Sequence, residues 1–234
     1  MGDGHRLRVS RQTLKMSSSK ISAHGRVLFS CILIVAAGAV PNGAAQATPI
    51  EATVGAPTPS PTPEAPFGLT WLASKEDTAA LVGPLEKPMS TDFGDSYVVS
   101  RLPKDLTDLH YAVLSFDSED RLIRVTAIGG AFQEDHSGAR IKARYAELRT
   151  LLQNKYGEGK SVDHADPAYL DNGWGLGLHL KKNWMVTLFE PPDLRIELSV
   201  FEEGARTNWR MIFEHTPSMQ RLEQERKESE KEAL

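Results

Sequence analysis

The sequence predicts an α+β fold: one curved antiparallel sheet of six to seven strands, one long and one short helix packed on one face, and a charged C-terminal helix. Three observations carry this. The apolar period changes to 3.6 over residues 137–156, short runs rich in Val, Ile, Leu and aromatic residues flank that stretch on both sides, and several connections between the runs are of hairpin length. Hairpin connections make neighbouring strands antiparallel, and a sheet with one apolar face needs helices to cover it.

The chain opens with basic residues unmatched by acid after Asp3, followed by the uncharged run 27–40, VLFSCILIVAAGAV. That run is too short to span a bilayer as a helix and has signal-peptide dimensions. Ala45-Gln46-Ala47 supplies the small residues that a signal peptidase accepts. Residues 1–47 therefore read as a signal peptide cleaved after Ala47, from Met1 or Met16, which places the mature chain in the periplasm or outside the cell. An uncleaved anchor is the alternative, and it too leaves the bulk of the chain outside the cytoplasm.

Cys31, the one cysteine, lies in the apolar run, so the mature chain has no thiol for disulfides, nucleophilic chemistry or thiolate metal sites. Leu28-Phe29-Ser30-Cys31 opens the apolar stretch instead of following it, which argues against a lipoprotein box. Cleavage removes six of the 27 basic residues but only Asp3 of the 31 acidic ones, leaving a formal charge of −9. A field of that sign repels phosphate backbones and anionic lipid. No nucleic acid and no membrane insertion are expected, and a basic partner suits the net charge.

Residues 48–66, TPIEATVGAPTPSPTPEAP, have few large apolar side chains and read as an extended tether with polyproline character. The α+β domain is expected at 67–216. Ser74 ahead of Lys75-Glu76-Asp77 makes a capping box, and Gly83-Pro84 ends the short helix that follows. Runs 96–102, 109–116 and 122–128 read as strands, the last two joined by a hairpin turn at Asp117-Ser118-Glu119-Asp120.

In the long helix Ile141, Tyr145, Leu148, Leu151, Leu152 and Tyr156 fall on one stripe, with Ser137 as N-cap and Gly157 as the left-handed C-terminal cap. Runs 174–180, 184–189, 194–201 and 208–214 read as further strands. The tail, 217–234, carries i,i+4 ion pairs such as Arg221 with Glu225, and only Met219 and Leu222 as apolar contacts. It reads as a solvated helix.

The stretch 171–180, DNGWGLGLHL, lacks the strand-to-helix turn of a dinucleotide fingerprint. Read with period two, it puts Trp174, Leu176, Leu178 and Leu180 on one face and Gly173, Gly175, Gly177 and His179 on the other. Such bare backbone admits close approach, by internal packing or by a ligand. The possible binding surface is therefore Gly175, Gly177 and His179, with Trp184 and Trp209 as indoles that stack on a partner. The histidines show no chelating spacing, there is no G-x-S-x-G elbow, and Asp117, Glu119 and Asp120 lie in a turn that keeps carboxylates solvated. No catalytic residue, metal or cofactor is expected.

Phe67-Gly68-Leu69-Thr70-Trp71, followed by Ser74-Lys75-Glu76-Asp77 and Leu81-Val82-Gly83, resembles the start of small bacterial envelope modules of the outer-membrane assembly lipoprotein and β-lactamase-inhibitor-like kind, written F-G-L-x-W-G-x-S-x-E-E with L-G downstream. The resemblance covers residues 67–83 and departs at Leu72, where the pattern has glycine. It implies helices on an antiparallel sheet and action by binding, and it carries no site residues. The expected function is a non-enzymatic binding module acting on another envelope protein. An inhibitor or immunity protein blocking a periplasmic toxin or hydrolase is the first alternative, and a small hydrolase with dispersed residues the second.

Overall fold

Two antiparallel meanders meet at their last strands to make one sheet. The first consists of β1 (Met89–Thr91), β2 (Gly94–Val99), β3 (Leu109–Phe116) and β4 (Leu122–Gln133), and the second of β5 (Lys160–Ser161), β6 (Val186–Phe189), β7 (Leu194–Glu203) and β8 (Arg206–His215). β4 pairs with β8, giving an eight-stranded antiparallel sheet in the order β1-β2-β3-β4-β8-β7-β6-β5. This computed structural model describes residues 64–86, 88–91, 94–170, 173–204 and 206–232. The expected signal peptide, its cleavage site and the tether up to residue 63 lie outside them.

The α+β class is as the sequence predicts. Six of the expected strands are present, and the short β1 and β5 are added at the two edges. The last three residues of the expected tether belong to the fold: Ala65 and Pro66 are buried and Glu64 bridges to Thr70.

Helix α1 (Lys75–Val82) forms as its capping box dictates, with Ser74 Oγ accepting from Asp77 N at 3.0 Å. Lys75 then reaches Asp120 at 2.5 Å and Asp95 at 3.1 Å, tying α1 to β2 and the β3–β4 turn. The hydrogen bond to Asp120 raises the ammonium pKa above its ordinary value.

Helix α2 (Ala139–Tyr156) buries Ile141, Tyr145, Leu148 and Leu152 against the sheet, meeting Val125, Ala127, Leu198, Met211 and Phe213 in the core. Each such side chain contributes roughly 1.5–3 kcal/mol of burial. Leu151, expected on the same stripe, is 55% exposed. Tyr145 donates or accepts at 2.7 Å with Thr187 Oγ1, which also meets Ser161, so the phenol is satisfied inside the core. Burial pushes the Tyr145 pKa up to about 12.

The N-terminal cap of α2 differs from the expectation. Gly138, at φ 69°, precedes the helix, and Ser137 Oγ only accepts from Ala139 N at 3.3 Å. The deeper donors, Arg140 N and Ile141 N, go to the two carboxylate oxygens of Asp135, which reaches back from just after β4. A charged acceptor at a helix N-terminus satisfies orphan N–H groups and complements the dipole together.

The 174–180 strand is not formed. Trp174–His179 is a short helix, α3, and the glycines serve a different geometry from the alternating one. Trp174 and Leu178, four residues apart, are buried together, while Leu176 turns outward and is 53% exposed. Gly175 and Gly177 are buried because neighbours press on them: an added Cβ would stand 2.7 Å from Asp135 O at Gly175, and 2.6 Å from Asn183 Cγ at Gly177. Asn183 itself donates to Trp174 O and Tyr169 O and accepts from Asp166 N.

The C-terminal helix is present as α4 (Thr216–Glu232), continuing directly from β8. Its solvated i,i+4 pairs, Arg221–Glu225, Glu223–Lys227 and Arg226–Glu230, are formed.

Candidate functional site

Register decides which side chains share the face of the sheet opposite α2. Along one row Val98, Val113, Thr126, Ile212, Glu197 and Leu188 stand side by side from β2 to β6. A second row holds Tyr111, Ile128, Arg210, Ser199 and Val186, and a third Ser96, Ser115, Arg124, Glu214 and Arg195. The residues between them, Val125, Ala127, Leu114, Met211, Phe213, Ile196 and Leu198, alternate onto the core side under α2.

Helices α1, α2 and α3 all take their partners from the core side. Lys75 of α1 stands over the Tyr97 and Phe116 rings, Tyr145 of α2 meets Thr187, and His179 of α3 meets Glu202. Among the described helices, α4 alone borders the other face. Met219, Leu222, Glu223 and Arg226 of α4 form a wall, and Arg195 and Glu214 a floor, around a cleft of about 510 Å3.

This outer face is divided chemically. Towards β2 it is apolar, with Val98 46% exposed beside Val113, while Ile128 and Ile212 at the centre are buried. Towards β7 it is charged. Glu214 sits between Arg124 (3.5 Å) and Arg195 (3.3 Å), and Arg210 meets Glu197 at 3.0 Å. Arg124, Arg195 and Arg210 thus meet Glu214 and Glu197 on this face, in a chain whose net charge is −4. Burial draws the Arg124 pKa below its ordinary value; Glu214 opposes that shift, and the nearby Arg210 and Arg195 charges add to it.

The residues singled out in the sequence are not brought together there. Trp209 is no surface indole: it is fully buried, its Nε1 donating to Asp108 Oδ2 at 2.8 Å and its ring lying against Gly129. That indole closes the core where a bulge interrupts the β4–β8 register, so size and a hydrogen-bond partner both hold it inside. Gly175 and Gly177 are buried against Asp135, His136 and Asn183, so they do not form the bare strand face that period two implies.

His179 is exposed and meets Glu202 at 2.7 Å, beside a shallow pocket that also includes His136, Asp135 and Gly175. Trp184 is 40% exposed and stacks on His164 at 4.2 Å. Among the described residues no three His, Cys, Asp or Glu side chains are grouped to hold a metal ion. No described helix is long and apolar enough to cross a membrane.

What sequence reading missed is the arginine set. Arg195 and Arg210 lie on the consecutive strands β7 and β8, whereas Arg124 is far from both in the chain and becomes their neighbour only through the β4–β8 register. A signal exists in the runs LIRVTAI, LRIELSV and NWRMIF, where charge alternates with apolar residues and marks the strand face that is not core.

Comparison with known proteins finds no matching family model, no similar curated protein and no similar solved structure.

Proposed function

We propose that the protein is a non-enzymatic binding module of the cell envelope that holds an acidic, partly apolar segment of another envelope protein against the outer face of its sheet. The observation that carries this reading is the arginine set, Arg124, Arg195 and Arg210, beside an apolar strip on a face that α1, α2 and α3 leave uncovered. Val98 and Val113 at the edge of the strip supply burial, and the guanidinium groups supply orientation and choice of partner, since charge complementarity selects partners more than it adds affinity. The local charge therefore outweighs the net charge as a guide, and the partner segment is acidic where the whole-chain balance suggests a basic one.

The resemblance of residues 67–83 to envelope modules supports a binding role, and the signal-peptide features of residues 1–47 support the compartment. Leu72, which stands where the module pattern has glycine, is held at φ 62°, in the left-handed region that favours glycine. α4 adds a second wall, so that a bound segment meets the sheet on one side and Met219 and Leu222 on the other.

The test is affinity capture from envelope extract on the wild-type protein and on the Arg195→Glu/Arg210→Glu double variant, with mass spectrometry of the retained proteins. A partner retained by the wild type, released by salt and weakened about tenfold or more by the variant, about 1.4 kcal/mol, supports the reading. Equal retention of the same proteins by both refutes it.

A further inference from the structure

A second cleft lies on the core side, independent of the outer face. It opens between the C-terminal half of α2, residues 64–68 and the loop carrying Lys104 and Leu106, and has a volume of about 260 Å3. Met211 and Phe213 of β8 and Leu148 and Leu152 of α2, all buried, form its floor. Phe67 completes a wall by setting its ring edge against Phe213 at 5.6 Å, and it does so from φ 60°, a left-handed conformation unfavourable for a bulky residue. Backbone held in a sparsely populated region recurs at ligand sites.

The mouth is chemically different. Lys104 and Lys155 stand at it, with Glu64 at 3.6 Å from Lys104 as its countercharge, while Lys155 lies over the Tyr156 ring and has no carboxylate partner among the described residues, which leaves one net positive charge there at the rim. Leu151, at 55% exposure, offers its side chain at the mouth and not to the core.

We propose that this cleft binds a single unbranched acyl chain carrying a carboxylate, with the chain on the Met211–Phe213 floor and the head group at Lys155 and Lys104. An apolar lining with few polar groups at one end is the usual build of a small-molecule site, and the volume lies just below the ~300–1,000 Å3 of drug-sized pockets. One chain of medium length fits it; a two-chain lipid does not. The single uncompensated charge matches a monoanion.

Isothermal titration of the full mature chain with decanoate, decanol and decyltrimethylammonium tests this. Decanoate is expected to bind saturably at one site, decanol more weakly, and the cationic amphiphile not at all. Two exposed positions carry the variants, so that folding is preserved. Lys155→Glu is expected to weaken decanoate about tenfold or more while leaving decanol unchanged, and Leu151→Glu to weaken both. Arg210→Glu, on the outer face, is expected to change neither. Absence of saturable decanoate binding overturns the proposal, as does decanoate affinity unaltered by Lys155→Glu and Leu151→Glu.

Discussion

Arg221 donates from Nη2 to Oδ2 of Asp117 across 2.6 Å, and the Asp117 side chain has no exposed surface. This bond ties α4 to the β3–β4 turn and so sets the wall of the cleft on the outer face. Asp117 also accepts from Glu119 N, Arg121 N, and Arg121 Nε and Nη2, which makes the turn a fixed anchor. Arg221→Ala is expected to lower stability by about 2 kcal/mol, the scale of a hydrogen bond to a charged group, and to reduce far-ultraviolet ellipticity as α4 frays. Arg221→Lys should restore only part of the loss, because an ammonium cannot reproduce the guanidinium fork. Thermal denaturation followed by circular dichroism measures both.

The same carboxylate gives the acid limb of the stability curve a defined origin. Burial raises the Asp117 pKa, and the backbone and guanidinium bonds of Arg121 outweigh it, holding the carboxyl below its ordinary value of 3.8. A carboxyl depressed in the folded state stabilises the fold above 3.8, and that contribution is lost as pH falls through the folded value. Asp117→Asn should therefore lower the melting temperature near neutrality and flatten its decline below pH 3.8. A variant curve parallel to that of the wild type contradicts this assignment.

His215 adds a loss of the same direction at milder pH. Its ring stacks on Trp71 at 5.8 Å and its Nδ1 meets Ser218 Oγ at 2.8 Å, joining β8 to the first turn of α4. Burial lowers its pKa from 6.5, with Asp193 opposing in part. The unfolded chain then takes up the proton first, so the contribution is full above 6.5 and diminishes as pH falls from 6.5 towards the folded value. His215→Gln should remove the slope in that window, as read by denaturant midpoints at pH 7.5 and about 5.5.

Gly177→Ala separates internal packing from ligand binding at the α3 glycines. The added methyl group meets Asn183 and Tyr169, and Asn183 is hydrogen-bonded to Asp166 and Tyr169, so a loss of about 1–3 kcal/mol is expected. Leu176→Ala, on the exposed side of the same helix, should cost less than about 0.5 kcal/mol.

Much of this architecture is legible in the chain. The α2 stripe, the Ser74 cap, the 109–116 and 122–128 hairpin and the charged C-terminal helix are local, and local periodicity reports them. α3 misled because six residues with alternating glycine satisfy both a period of two and the i,i+4 spacing of Trp174 and Leu178; tertiary contact with Asp135 and Asn183 chose the helix. Ser137 was the nearer cap by sequence, yet Asp135 has the reach and the charge. The outer face was hidden for a different reason: Arg124 joins the arginines of the β7–β8 hairpin through β4–β8 pairing, which no local pattern encodes.

Site-specific photocrosslinking in the envelope tests the central claim most directly, with the photoreactive side chain placed at Val98 on the outer face, or at Leu81 on α1, both well exposed. A discrete covalent adduct from Val98 with one envelope protein is expected, weakened by Arg195→Glu/Arg210→Glu, and none from Leu81. An adduct from Leu81 with none from Val98 would contradict it.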